Sequence, residues 1–541
     1  MRVAVRGILD KSFTVLTGLS VVVLSLVLLI VLGPMIWRGS GAVVFRGTVE
    51  FRKMQSALFE RGDIQSLANE IDQTQKARAY VYKTIEKFKR GIDREALGEQ
   101  VRRIHRDFGQ QLREKGVSGE RYTELRGLTR DIRERLEAAF ASRDKQEIAR
   151  DIEYVLKFQD DERLKGTAAA EFFSVATEFR DGIAGIDFAH EEQYVESLQV
   201  VEQAVEGLFG PAPGQPTPAL ASMRFGATRW DRALKLLDQM LRDEQWVEKE
   251  PGKPLEKVRV AREKQFAGTS LEPLFGYVKE NLPGMLKPRL TFYWQFFIDD
   301  NFDSHYFGGV GPEILGTLLI TVVGMAVAIP LGLVSAAYLV ECASDNPAVR
   351  VIRMCINTLA GVPSIVFGLF GLAFFVLYLF PLFGAPSKGC ILAASLTLAI
   401  LTLPVMIRAS EEAIRSVPET YKEASLSLGA SRFQTFITVV LPAALPGVLT
   451  GVILSLSRIA GETAPILFTG AVAMGPIPKS IFEPTRALSY GSYDMAVGDR
   501  ISMMVPHNQY GMVVTLVALI LCLNAMAIAL RSRVFKKLRG Q

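Results

Sequence analysis

Arg458 and Glu462 stand four residues apart in SLSRIAGETAPILFTGA, within a stretch that is otherwise apolar or small from Val439 onward. At positions i and i+4 of a helix two side chains share a face, so the spacing predicts an ion pair. Each charge alone at the centre of a bilayer costs about 2.5 to 3.5 kcal/mol on insertion scales, and pairing lowers that cost without abolishing it. The pair is therefore expected to face a bundle interior or a wet cavity. Arginine offers a fork of donors that matches a tetrahedral oxyanion and cannot lose its charge. Glu462 would hold that fork while a route is empty and compete with a passing anion, which keeps affinity low, as a conduit requires. From spacing alone, a buried ion pair that merely fixes helix packing is an equal alternative. Gly447, Gly451 and Ser455 form a row of small residues leading to the pair, suited to close helix approach. Gly461 and Pro465 predict a break in the helix at the same depth.

These charges need a membrane around them, and the chain supplies one large enough scaffold. Its 541 residues allow two or three domains. The charged residues, 22% of the total, crowd into a region from about 46 to 289, and the apolar ones gather in runs elsewhere. That pattern describes a membrane protein carrying one large soluble insert. A net charge of +5, with basic residues flanking apolar runs, argues against a nucleic-acid surface. Six runs approach or exceed the length needed to cross a bilayer: 13–36, 314–340, 358–383, 391–407, 441–473 and 512–530. The first reads as a retained anchor, because its apolar region is too long for a signal peptide and no small-residue cleavage site follows. Arg2, Arg6 and Lys11 precede it; Arg350 and Arg353 follow the second run; Arg408, Arg415, Lys422 and Arg432 lie between the fourth and fifth; Arg531, Arg533, Lys536, Lys537 and Arg539 close the chain. The opposite short loops hold Lys388, Lys479, Arg486 and Arg500. The excess of Lys and Arg in cytoplasmic flanks then places both termini in the cytoplasm and the insert outside it.

The insert reads as helices from Gly47 to about Phe209, with apolar residues three and four apart in YVYKTIEKFKRGI and ARDIEYVLKFQ. A Pro-rich break over 209–221 is followed by a further helical piece, TRWDRALKLLDQMLRDEQW. A helical bundle serving as spacer or docking surface is the plain reading, and a ligand-sensing domain the other. The aromatics of TFYWQFFIDDNFDSHYF suit either a helix lying in the membrane interface or a packed loop. His105, His190, His305 and His507 show no metal-ligand spacing, and none of the four cysteines forms a CxxC pair, so neither a catalytic nor a metal site is expected. His305 and His507 are expected to be solvated polar residues near the outer surface.

Between the fourth and fifth runs, SVPETYKEASLSLGASRFQTFITVVLP opens with Ser416-x-x-Glu419, a capping-box pattern with Pro418 in the first turn. The predicted helix runs to about Leu428 and ends at Gly429 in the left-handed conformation. Ser431-x-x-Gln434 repeats the capping pattern and starts a second helix. Glu423-Ala424-Ser425, Gly429 and Leu441-Pro442 resemble the E-A-A-x3-G-x9-I-x-L-P loop of ABC-importer permeases, with Ser425 in place of the second Ala and Val439 in place of Ile. Arg458 with Gly461-Glu462-Thr463-Ala464-Pro465 resembles the R-x-x-GETAP segment of PstA-type permeases of the phosphate-specific ABC importer. LAGVPSIVFG, from Leu359 to Gly368, and LPGVLTG, from Leu445 to Gly451, are similar to that family too.

The resemblance spans about 311 to the end, and the large insert looks like the family's extended variants. It implies an α-helical integral membrane protein of the type I ABC-importer permease fold, with six transmembrane helices. Three parts would follow: 1–37, a cytoplasmic tail and anchor helix; 38–312, a mainly helical extracytoplasmic domain; and 313–541, the permease domain with a coupling loop over 409–440. It further implies that Glu423, Ala424, Ser425, Gly429, Leu441 and Pro442 couple to a separate ATPase, and that Arg458, Glu462 and Thr463 line the phosphate route. The implied partners are a PstC-like sister permease, two PstB-like ATP-binding subunits, a PstS-like phosphate-binding protein, inorganic phosphate and membrane lipid, with no nucleic acid. The implied place is a bacterial inner membrane with the large domain periplasmic. No G-x-x-x-x-G-K-[ST] occurs in the chain, so ATP and Mg would be bound by partner subunits and this chain would be no enzyme. A permease for sulfate or molybdate is the alternative within the class, against which the GETAP segment argues. A membrane receptor with a sensing insert would leave the helix pair and the charged fifth run without purpose, and no kinase or cyclase motif supports it.

Overall fold

Among the described residues, six helices are long and apolar enough to cross a membrane: Ser12–Ser40, Gly311–Cys342, Ser364–Leu382, Ile391–Arg415, Arg432–Gly461 and Pro506–Lys536. They are numbered here as spans one to six. The computed structural model describes residues 3–188, 191–247, 256–344, 346–498 and 504–538, so Arg2, His190, Arg500 and Arg539 lie outside the described residues. The chain divides into two compact units, one of Met1–Val44 with Phe292–Gln541 and one of Phe45–Thr291.

Prolines set where the spans begin and end. Span three starts at Ser364 rather than near 358, because the residue before Pro363 is pushed out of the helical region. The preceding residues form a separate amphipathic helix, Pro347–Leu359. The fifth run does not continue to 473: its helix ends at Gly461, Glu462 takes an extended conformation, and a short helix, Ala464–Thr469, follows. Pro465 has no N–H to give Gly461 and its ring would strike that carbonyl, so the helix stops before it. At the other end span five begins earlier than expected, because Arg432–Thr435 runs through a π-helical turn, Phe436–Val440, into Leu441–Gly461. A widened turn just ahead of Pro442 accommodates a residue that lacks a donor. Span four reaches Arg415, beyond the predicted 407, and its polar end is held by an Arg415–Glu411 pair at 2.8 Å one turn apart.

Small residues let these spans meet. A Cβ on Gly332 would lie 2.5 Å from the Met406 side chain, so span two packs directly onto span four there. Buried threonines satisfy their hydroxyls on their own helices, as Thr397 does by donating to the Ala393 carbonyl at 2.7 Å and Thr402 to Leu398 at 2.9 Å. Large side chains of span one, such as Leu24 and Leu29, stay exposed, as a helix bathed in lipid requires.

The aromatic segment before span two is not an interfacial helix. Trp294–Phe297 makes one 3-10 turn, and Asn301–Phe302 pairs with Phe307–Gly308 as a small hairpin. Asp303, Ser304 and His305 have φ of 48°, 53° and 66°, a left-handed run that no right-handed helix can contain.

The unit Phe45–Thr291 is helical, as its periodicity predicts. Its longer helices are Ile64–Ile92, Arg94–Glu114, Glu120–Ala141 and Glu191–Phe209. Asp63 and Asp93 cap the first two by accepting from the Gln65 and Ala96 N–H groups. Phe88, Phe266 and Phe275 anchor one hydrophobic cluster and Phe108, Phe172 and Phe179 another. The helix expected through RDEQW stops at Leu241. Arg242–Val247 is instead a strand paired antiparallel with Glu256–Ala261, because cross-strand pairing outweighs the helical pattern of its first residues. A Cβ on Gly47 would lie 2.7 Å from Thr291 Oγ1, so this unit begins and ends at one point.

Candidate functional site

Span five carries the two charges to the point where it breaks. Arg458 Nε lies 3.4 Å from Glu462 Oε1, and both side chains are half-buried, 32% and 22% exposed. The i,i+4 prediction of a pair holds, with one difference: Glu462 is the first residue past the helix, not part of its face. Its N–H still closes the last turn on the Arg458 carbonyl at 3.1 Å, and its own carbonyl accepts from Ser489 Oγ at 3.2 Å. The carboxylate is thus held by backbone on both sides, and it in turn aims the guanidinium. The terminal nitrogens of Arg458 make no hydrogen bond to another described residue and are free to donate to an anion. Thr463 precedes the Ala464–Thr469 helix, half-buried, with no capping bond from its side chain.

Two neighbours fix the broken helix. The row Gly447, Gly451, Ser455 packs on span four: a Cβ on Gly447 would lie 2.6 Å from Ala413 Cβ, and one on Gly451 2.6 Å from Ala409 Cβ. On another side, span three closes over the break, since a Cβ on Gly368 would lie 2.9 Å from Pro465 Cα. The LAGVPSIVFG and GETAP segments, about a hundred residues apart in sequence, are therefore in contact. One residue before Arg458, Ser457 Oγ donates to Asn524 Oδ1 of span six at 2.9 Å.

At the opposite end of span five lies the helix pair. Glu419–Ser427 is a surface helix with no buried residue, and Glu423 and Ala424 are exposed on it. Gly429 has φ 86°, the left-handed turn its position predicts, and Ala430 N–H bonds back to the Ser425 carbonyl. Ser431 and Gln434 form the reciprocal capping box. The Ser416–Glu419 box does not form: Ser416 ends span four and donates to the Ala413 carbonyl, while Glu419 pairs with Lys422 at 3.0 Å. The two helices are joined by Ser425 Oγ to Thr435 Oγ1 at 3.0 Å. Lys422 also reaches Glu341, at the end of span two, at 2.7 Å. Burial works against the Lys422 charge, yet the Glu341 and Glu419 carboxylates hold its pKa above the ordinary value. Leu441 and Pro442 are half-buried where the second helix enters span five. Tyr421, Leu426, Leu428 and Phe433 are exposed around the turn, leaving an apolar face uncovered.

One cluster escaped sequence reasoning. His305, expected to be solvated, is buried, and its Nε2 lies 3.2 Å from Glu313 Oε1. Asn301 Nδ2 donates to the same oxygen at 2.6 Å, and Arg486 spans from Asp300 at 2.6 Å to Glu313 at 3.7 Å. The left-handed run at 303–305 turns the imidazole inward, a conformation that no sequence period signals. The available hint was Glu313 in the first turn of span two, where the helix dipole favours an anion.

Residues 315–540 match the family described as binding-protein-dependent transport system inner membrane component. The chain is 35% identical over 247 residues to a probable ABC transporter permease protein, YqgI, of Bacillus subtilis, over 43% of this chain and 80% of that one. It is 31% identical to the phosphate transport system permease protein PstA of Xylella fastidiosa, over 42% of this chain and 77% of the relative. To the PstA of Mycobacterium leprae it is 41% identical over 175 residues, 32% of this chain and about half, 55%, of the relative. A chain of the MetNI methionine ABC transporter, among solved structures, overlaps 42% of this chain at 20% identity with a TM-score of 0.34, too distant to carry detail.

Proposed function

The chain belongs to the binding-protein-dependent transport system inner membrane component family, and from that membership we propose that it is the PstA-like permease of an ATP-driven phosphate importer. The observation that carries this reading is the broken fifth span, which presents a half-buried guanidinium, Arg458, paired with its own carboxylate. Inorganic phosphate moving along the bundle exchanges with Glu462 for the Arg458 fork, and the competition keeps each stop brief. Thr463, next in the break, offers a hydroxyl to the same anion. The half-open side of the pair faces a sister permease that completes the passage.

The exposed Glu419–Ser427 helix seats on a separate ATPase subunit. Glu423, Ala424 and Ser425 form the contact, Gly429 sets the turn, and Leu441-Pro442 conduct the motion into span five. Its anchoring supports that role, since Lys422 ties it to Glu341 at the end of span two and Ser425 ties it to Thr435 of the second helix, which carries the capping box. This chain supplies the path, and two ATP-binding subunits supply the work. A binding protein delivers phosphate from outside. Both termini lie in the cytoplasm of a bacterial inner membrane, with 1–37 as tail and anchor, 38–312 as a periplasmic helical domain and 313–541 as the permease.

The test is reconstitution with candidate partner subunits in liposomes. A phosphate-loaded binding protein, and not a sulfate-loaded one, should stimulate ATP hydrolysis and uptake. Arg458→Gln should abolish uptake while the complex still assembles; undiminished transport would reduce the pair to a packing element. Stimulation by sulfate or molybdate instead would favour an importer of another oxyanion.

A further inference from the structure

A second cationic site lies on the far side of the spans from the His305 cluster, beside the helix pair. The polar end of span four and the Pro347–Leu359 helix border a half-open cavity of about 310 Å³ lined by Arg353, Asn357, Arg408, Glu411, Glu412 and Arg415. Three guanidiniums face two carboxylates there, which leaves an excess positive charge. The pairing is also uneven. Glu411 Oε1 is shared by Arg415 at 2.8 Å and Arg353 at 3.4 Å. Arg408 instead donates through Nε to the neutral Asn357 Oδ1 at 2.8 Å and forms no ion pair among the described residues. Arg353 Nε is buried without a hydrogen-bond partner, although another of its nitrogens donates to the Leu339 carbonyl. A cavity with unspent guanidinium donors calls for an anion with several oxygens.

Its surroundings set the depth. On the Pro347–Leu359 helix, Val351, Ile352 and Met354 are exposed, and the only buried residue is Val349. A helix that carries two arginines and yet leaves such apolar side chains uncovered suits the plane of a membrane surface. Basic pockets beside spans at that level meet phosphate groups.

We propose that the Arg353–Arg408–Arg415 cavity is a binding site for a phosphate group, separate from the Arg458 route. Arg408 and Arg353 supply forked donors, and the Asn357 amide, its oxygen engaged by Arg408, adds a neutral one. Glu412 sets an upper limit on affinity by repulsion. The group arrives either on an anionic phospholipid or as inorganic phosphate. Occupancy would tie the Pro347–Leu359 helix to span four directly beside the coupling loop.

Two arms distinguish the sources, with the full chain in nanodiscs. In the first, discs of mixed phosphatidylglycerol and phosphatidylcholine are analysed by native mass spectrometry for retained lipid. In the second, inorganic phosphate is titrated into phosphatidylcholine discs carrying Arg458→Gln, so that binding at the transport pair is not counted. Arg408→Gln should weaken whichever ligand occupies the cavity by roughly tenfold or more, the loss of a charge-assisted contact. Glu412→Gln, whose side chain holds no described partner, should tighten it. Sensitivity of phosphatidylglycerol retention alone assigns a lipid site, and sensitivity of phosphate titration alone assigns a site for free anion. If neither ligand responds to either substitution, the proposal is overturned, and Glu412→Gln still decides should Arg408→Gln fail to fold.

Discussion

A buried histidine shows how charge is managed in the unit Phe45–Thr291. Burial, then the Arg126, Arg133 and Arg130 guanidiniums, lower the His105 pKa from 6.5 to about 4. The unfolded chain therefore binds a proton near pH 6.5 that the folded unit refuses until about pH 4, so stability is full above 6.5 and falls through that window. The loss should be on the order of a few kcal/mol. Thermal melts followed by circular dichroism at pH 7 and pH 4.5 should show a drop that His105→Gln largely removes; equal drops in both proteins would place the acid sensitivity elsewhere. At the same scale the Arg458–Glu462 pair was legible from type and spacing, because the two residues are near neighbours in the chain. His305 was not, since a left-handed run aims it at Asn301 and Glu313, a conformation that no residue spacing announces.

Helix ends and breaks follow local chemistry, and this is where sequence served best. Gly429 adopts its left-handed turn, and a Cβ there would meet nothing within 4 Å. Gly429→Val should therefore act through backbone strain alone, at about 1 to 2 kcal/mol. In the reconstituted complex it should lower coupling between hydrolysis and uptake while the spans stay folded. Retained coupling with ATPase subunits still co-purifying would dissociate this turn from the transmission of force. The failed Ser416 box marks the limit of such reasoning: the same pattern occurs at both helices, but Ser416 is still engaged by the end of span four. A local motif cannot report that its first residue already belongs to another element.

For the whole molecule, the unit Phe45–Thr291 begins and ends at adjacent residues, the geometry of a domain inserted into another fold. Expressed alone, 45–291 should give a soluble helical protein with a cooperative thermal transition. A molten or aggregated product would mean that its two clusters depend on the rest of the chain. The buried Glu50–Arg78 pair at 2.8 Å, with Arg78 also donating to the Met285 carbonyl, joins the first helices of this unit to its last and needs nothing outside it.

Local chemistry along the chain specifies the six apolar spans, the helical insert, the break at Gly461–Pro465 and the capped turn at Gly429. Each of these rests on interactions within a few residues, or on a hydropathy that lipid must match. Tertiary structure alone decided that span three closes over the GETAP segment, that His305 turns inward onto Glu313, and that three arginines from two helices share one cavity. The first and last of these join residues tens of positions apart and exist only once small residues have let the spans come together; His305 and Glu313 are eight positions apart, but the left-handed run that turns one onto the other is a conformation no local period encodes.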